Sequence, residues 1–183
     1  MASRKSEIIA ALKAGGAESE AFFAALPATA LEVPVYTETV QWSVRRVLAH
    51  FITIERSMQN LFENILAGGP GAPEDFDVDR FNRTQPQKLD GLSMDALLEN
   101  FRNVRAKTVA MVAAMAESDL DREGRHPFHG HGKLERFIRW AYEHARLHED
   151  DVRRALEKHA AQTTALSPNH EGHEVHGENL KNL

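Results

Sequence analysis

Apolar residues return every three or four positions through four long stretches of the chain, the period of an amphipathic helix. The first stretch, Ser6–Leu26, carries Ile8, Ile9, Leu12, Phe22, Phe23 and Leu26. Gly15-Gly16 at its middle predicts a kink or break, and Pro27 marks its end. The second, Ser43–Ala67, has Ser43 as an N-cap candidate and Trp42 placed to pair with Val47 as a hydrophobic staple. Its stripe runs from Val44 through Phe51 and Met58 to Ile65, and Gly68-Gly69-Pro70-Gly71 stops it. The third, Ser93–Glu117, aligns Leu97, Phe101, Val104, Thr108 and Val112. The fourth, Leu134–His159, aligns Phe137, Ala141, His144, His148, Val152 and Ala155.

The last three stretches hold about 25 residues each, or about 37 Å at about 1.5 Å per residue. Elements of matched length predict an all-α fold, a four-helix bundle with long connecting loops. Leu31–Gln41 is rich in β-branched residues and reads as an extended connection that includes a short irregular strand. Ala72–Gly91 and Ser118–Lys133 are longer connections, with room for a crossover or for loops covering a bundle end. The bundle is assigned to residues 1–160. Residues 161–183 are polar, lack a sustained period and read as a flexible tail.

A length of 183 residues suits one domain with a sizeable core. A formal net charge of −5 and no long basic run predict no nucleic-acid partner. Cysteine is absent, which excludes a disulfide framework, a Cys-based zinc site and a cysteine nucleophile. Any thiol chemistry must use a thiol carried by a substrate. No signal peptide, transmembrane span or membrane partner is expected, and a cytoplasmic location fits.

His144 and His148 are four apart, so they share a helix face about 6 Å apart in rise. They interrupt an apolar stripe instead of decorating a solvent face. His50 lies on the second helix, just past an apolar stripe. An unpaired imidazole in a bundle core carries a cost of a few kcal/mol, which one divalent cation shared by three rings offsets. Three nitrogen ligands leave a coordination position open, the mark of a catalytic centre. Imidazole suits Zn, Ni, Cu and Fe(II), and residue type does not separate Zn from Ni. Ala145 stands where a zinc protease of the H-E-x-x-H type has its glutamate, which argues against that mechanism. Glu143, Glu149 and Asp151 are near in sequence but on doubtful faces for orienting the rings.

The loops supply further candidates. Arg80, Phe81 and Asn82, in the run FDVDRFNR, are candidates to line a substrate pocket, Arg80 for an anionic group; a solvated loop is the equal alternative. The run HPFHGHG supplies His126, His129 and His131, of which His129 is the best placed acid/base candidate, against a plain reading as surface histidines. His170, His173 and His176 in the tail make a weaker metal-capture pattern, and incidental histidines are the simpler reading.

Four runs in order, Trp42–His50, Phe76–Arg83, Ser118–Phe128 and Glu143–Val152, resemble the DinB/YfiT-like superfamily. The resemblance covers Ile8 to Leu156. It implies a four-helix bundle, frequently a homodimer, with one divalent metal (Zn, Ni or Fe) on three histidines matching His50, His144 and His148. It also implies a transferase or isomerase that uses a low-molecular-weight thiol with a small-molecule substrate. A metal-dependent hydrolase, a non-enzymatic metal- or ligand-binding stress-response protein and a purely structural bundle stay open as alternatives.

Overall fold

The computed structural model describes residues 3–38 and 40–166. Four long helices carry it: α1 (Arg4–Ala24), α2 (Val44–Leu66), α4 (Met94–Ala114) and α5 (Leu134–Leu166), with a short α3 (Val78–Thr84) between the second and third of them. Two antiparallel strand pairs accompany them. β1 (Pro34–Tyr36) pairs with β2 (Trp42–Ser43), and β3 (Glu123–His126) pairs with β4 (Gly130–Lys133).

Cross-helix contacts give the topology. Gly15 faces Tyr142 and Ser19 faces Glu149, so α1 and α5 run parallel. Arg56 bonds Asn100 and Gln59 bonds Thr108, so α2 and α4 also run parallel. Lys5 reaches Ala113 O while Glu20 pairs with Arg102, so α1 and α4 are antiparallel. Two consecutive long helices in the same direction need a crossover, which residues 67–93 provide. Gly71 anchors this crossover with φ 89°, and a Cβ there would lie 2.5 Å from the Arg125 backbone on β3. Only glycine tolerates both the left-handed backbone and that approach.

α1 does not kink or break at Gly15-Gly16. The helix is continuous, and both glycines are buried. A Cβ on Gly16 would sit 2.8 Å from Arg105 Cγ, so the glycine makes room for a side chain crossing from α4. Packing against that side chain outweighs the intrinsic weakness of glycine in a helix, about 1 kcal/mol. Ser43 stands at the N-cap of α2, but its side chain makes no capping bond; its backbone is held in β2 instead. Ser93 does cap α4, accepting from Ala96 N. The expected extended segment before α2 is β1. Three local elements were hidden in the long connections: α3, capped by the Asp77 side chain, and the β3–β4 hairpin. α5 continues through Ala161–Leu166, the first residues of the predicted tail, where Ala, Gln and Leu keep helix propensity high. His170, His173 and His176 lie outside the described residues.

The apolar core has two parts. Trp42, Val47, Leu48, Phe51, Phe101 and Val152 fill the end near β1–β2. Ile8, Phe62, Leu120, Leu134 and Phe137 fill the end near the hairpin. Between them lies a polar layer. Arg105 (5% exposed) and Glu55 (2% exposed) form a buried ion pair at 2.8 Å. Arg105 also donates to Leu12 O (3.1 Å) and Ala141 O (3.2 Å), so one side chain from α4 holds α1, α2 and α5.

Candidate functional site

His50, His144 and His148 come together from α2 and α5, on the β1–β2 side of the polar layer. Each offers a ring nitrogen within 4.8 Å of the others. His148 Nε2 lies 2.9 Å from His144 Nε2, and His50 Nε2 lies 3.5 Å from His144 Nε2. Two ligands on a tetrahedral ion with Zn–N bonds of about 2.0–2.1 Å stand about 3.3 Å apart, and these spacings bracket that value.

The protonation states favour the same use. Burial pushes His50 well below its usual pKa, with the neighbouring His144 and His148 adding to it. Burial, then the charges of His148, His126 and His129, lower His144 to about 3. His148 is lowered by burial against an opposing pull from Asp151. The rings are therefore neutral at physiological pH and present lone pairs. His50 Nδ1 is buried and has no hydrogen-bond partner among the described residues. Three neutral imidazoles with converging nitrogens suit a borderline-soft divalent cation, so the residues present fit the metal that the sequence suggests.

Tyr36 orients one of the rings. Its hydroxyl lies 2.5 Å from His148 Nδ1 and donates to Asp151. With the His148 proton on Nδ1, the order is His148 N–H to Tyr36 O, then Tyr36 O–H to Asp151, leaving Nε2 as the ligand atom. Burial and Asp151 together raise the Tyr36 pKa, so the phenol keeps its proton. Asp151 thus does reach the cluster, through a tyrosine that the sequence placed only in a connection. Glu149 instead bonds Ser19 on α1. Glu143 makes no hydrogen bond or ion pair among the described residues.

Aromatic rings wall the cluster. Trp42 lies over His50 with centroids 4.5 Å apart, and Phe51 is in ring contact with all three histidines. Trp140 lies 5.2 Å from His144. Sequence reasoning treated Trp42 as a helix staple and overlooked Trp140. The available signal was Trp140 one helical turn before His144, on the same face.

The hairpin histidines divide by role. His126 Nδ1 accepts from the backbone of Phe128 (3.1 Å) and His129 (3.2 Å), so this ring fastens the turn. His129 meets Trp140 edge-on at 4.5 Å, and Trp140 separates it from His144. Arg136 donates to His129 Nδ1, which places the proton on Nε2, a buried atom without a partner among the described residues. His131 is exposed beside Glu123. Arg80, Phe81 and Asn82 lie on α3; Arg80 is exposed, and Phe81 packs on Phe76. None of these three bonds a histidine of the cluster.

The fold and site define a class: a helical bundle with a crossover and a partly buried three-imidazole cluster joining two helices. The family model of the DinB superfamily matches residues 11–152, and the chain belongs to that superfamily. Among solved structures it is similar to the sibling lethal factor precursor DfsB, at 16% identity and a TM-score of 0.65, covering 87% of this chain and 98% of that one. It is also similar to the colibactin self-resistance protein ClbS, at 14% identity and a TM-score of 0.63, covering 83% of this chain and 94% of that one. No curated protein sequence matches it.

The ClbS structure is a complex with double-stranded DNA, which corrects one expectation. The exclusion of nucleic acid from net charge does not hold for this fold. Net charge averages over a surface, while phosphate contacts need only a local set of donors. Among the described residues no helix is long and apolar enough to cross a membrane.

Proposed function

We propose that this chain is a metal-dependent enzyme of the DinB superfamily, with a divalent Zn, Ni or Fe ion on His50, His144 and His148. The reaction proposed is transfer of a low-molecular-weight thiol to an electrophilic small molecule, or a related thiol-dependent isomerisation. The observation that carries the metal reading is the convergence of three neutral ring nitrogens at 2.9 and 3.5 Å in a buried setting. The choice of reaction follows the superfamily resemblance and rests on analogy.

Each residue has a task. His50, His144 and His148 supply neutral donors. Tyr36 and Asp151 hold the His148 tautomer. Trp42 and Phe51 exclude water from the inner side of the cluster, which strengthens electrostatic interactions there. A bound ion supplies Lewis acidity, which favours the anionic form of a thiol. His129 is proposed as an acid/base or positioning group behind Trp140. Arg80, Phe81 and Asn82 are proposed as a more distant part of a substrate pocket.

Elemental analysis of untagged protein, beside His144→Ala/His148→Ala, tests the centre. One transition-metal ion per chain that disappears in the variant supports it. No metal after reloading with Zn, Ni and Fe(II) removes it. Conjugate formation between a thiol and an electrophile by the loaded protein then tests the reaction. Duplex DNA is kept as a second ligand class on the strength of ClbS. A gel-shift titration at low and physiological salt tests it.

A further inference from the structure

An open cleft of about 390 Å³ lies between the segment Val33–Thr37 and the last turns of α5. Tyr36 and Asp151 form its inner end, and Arg154, Lys158 and His159 line the α5 side. Positions 151, 154, 158 and 162 share one helix face, so the lining is a continuous strip and not a chance meeting of loops. The size falls within the range of small-molecule sites, about 300–1,000 Å³.

The charge of this strip opposes that of the whole chain. The protein carries −5 overall, yet Arg154 and Lys158 outnumber Asp151 in the lining. Asp151 pairs with Arg154 and also accepts from Tyr36. Lys158 makes no ion pair among the described residues. One cation is therefore left for an incoming group, beside an Arg whose partner is exchangeable. Arg154 offers a planar fork for a carboxylate or phosphate, and Lys158 a mobile point charge.

We infer that this cleft binds a small acidic molecule, through a carboxylate or phosphate seated between Arg154 and Lys158 and facing Tyr36. The acid competes with Asp151 for Arg154. Asp151 is the hydrogen-bond acceptor of Tyr36, and the Tyr36 hydroxyl touches His148, so occupancy is felt at the ring that the cleft itself does not contain. The site needs no metal, although its inner end shares Tyr36 and Asp151 with the function proposed above.

The test is calorimetric titration of the full chain, prepared with chelator, with succinate and separately with inorganic phosphate. Succinamide, which has the same length and no charge, is the control. Saturable binding of one acid per chain, absent with succinamide, is expected. Lys158→Ala should weaken it at least tenfold and Lys158→Arg should largely restore it; Lys158 is exposed on a helix, so both variants fold. Preference for succinate or phosphate identifies the acid group. In ¹⁵N spectra the His148 Nδ1 resonance should shift during the titration, and binding should persist in His144→Ala, which separates this site from the metal reading. Equal heats with succinamide, or binding indifferent to Lys158→Ala, overturns the inference. An unmoved His148 resonance at saturation overturns its link to Tyr36.

Discussion

Two polar clusters inside the bundle are built on opposite terms. Around Arg105, donors meet acceptors: Nε and Nη2 bond the Glu55 carboxylate, and Nη1 and Nη2 reach Leu12 O and Ala141 O. Around His50, His144 and His148, ring nitrogens face ring nitrogens, Nε2 to Nε2, at 3.5 and 2.9 Å. The first cluster is complete with protein atoms alone. The second has an outer partner on one ring, Tyr36 backed by Asp151, while His50 Nδ1 has none among the described residues, and its ring nitrogens converge on one point. A closed polar network fixes geometry, whereas an open one with neutral donors is arranged for a ligand.

The largest expected effect lies in the closed cluster. Arg105→Leu leaves the Glu55 carboxylate buried without a partner, and such a loss costs about 3–5 kcal/mol. Urea unfolding should show the midpoint falling accordingly, while Glu55→Leu/Arg105→Leu should recover most of it. The open cluster should respond far less. His144→Leu, measured with chelator present, should lower the unfolding midpoint much less than Arg105→Leu does, because no charge is orphaned. Added Zn is expected to raise the thermal midpoint of the parent chain and to leave that of the same variant unmoved. If His144→Leu destabilises the metal-free protein as much as Arg105→Leu does, the contrast between the two clusters is wrong.

Tyr36→Phe gives the next effect. It keeps the ring against Trp42, at 5.6 Å, and removes the hydroxyl between His148 and Asp151. Loss of such an outer partner typically costs about 10–100-fold in metal affinity. A competition titration against a chromophoric chelator should show a drop of that size with little change in stability. An affinity within twofold of the parent would mean that packing alone orients His148.

Both clusters left the same mark in the sequence, and this sets the limit of what was legible there. Glu55 follows Phe51 by four positions, and Arg105 follows Phe101 by four, as His148 follows His144. Each is a polar residue interrupting an apolar stripe. The four long helices and the His144–His148 pair could be read because the 3.6-residue period and the i, i+4 spacing are local signals, whereas the family resemblance ties His50 to that pair. Which polar interruptions pair with one another is a long-range fact. Arg105 and Glu55 are on different helices, and nothing nearby in sequence signals the pairing. Tyr36 escaped for the same reason: it reaches α5 only because β1 is held by β2. The kink expected at Gly16 does not form, because the local cost of glycine is visible in sequence while the Arg105 side chain that it accommodates is not.

The smallest effect separates a third histidine environment from both clusters. His126 is buried and its pKa is lowered from 6.5 to about 4, first by burial and then by His129 and Arg136. The folded state therefore holds this ring neutral where the unfolded chain would protonate it. Above about pH 6.5 neither state takes the proton, and this ring adds no pH dependence. As pH falls from about 6.5 to about 4, the unfolded state gains a proton that the folded state refuses, so stability declines; below about 4 both are protonated and the decline ends. The hairpin is partly open to solvent, so a loss on the order of 1 kcal/mol is expected from this ring. His126→Asn keeps a side-chain acceptor for the Phe128 and His129 amides but does not titrate. Unfolding curves for the parent and His126→Asn, both with chelator, should therefore run parallel above pH 7 and converge or cross between pH 6 and 4. A constant difference across that interval would place the histidine titration wholly in the His50, His144 and His148 cluster, and would leave His126 only the task of fastening the turn.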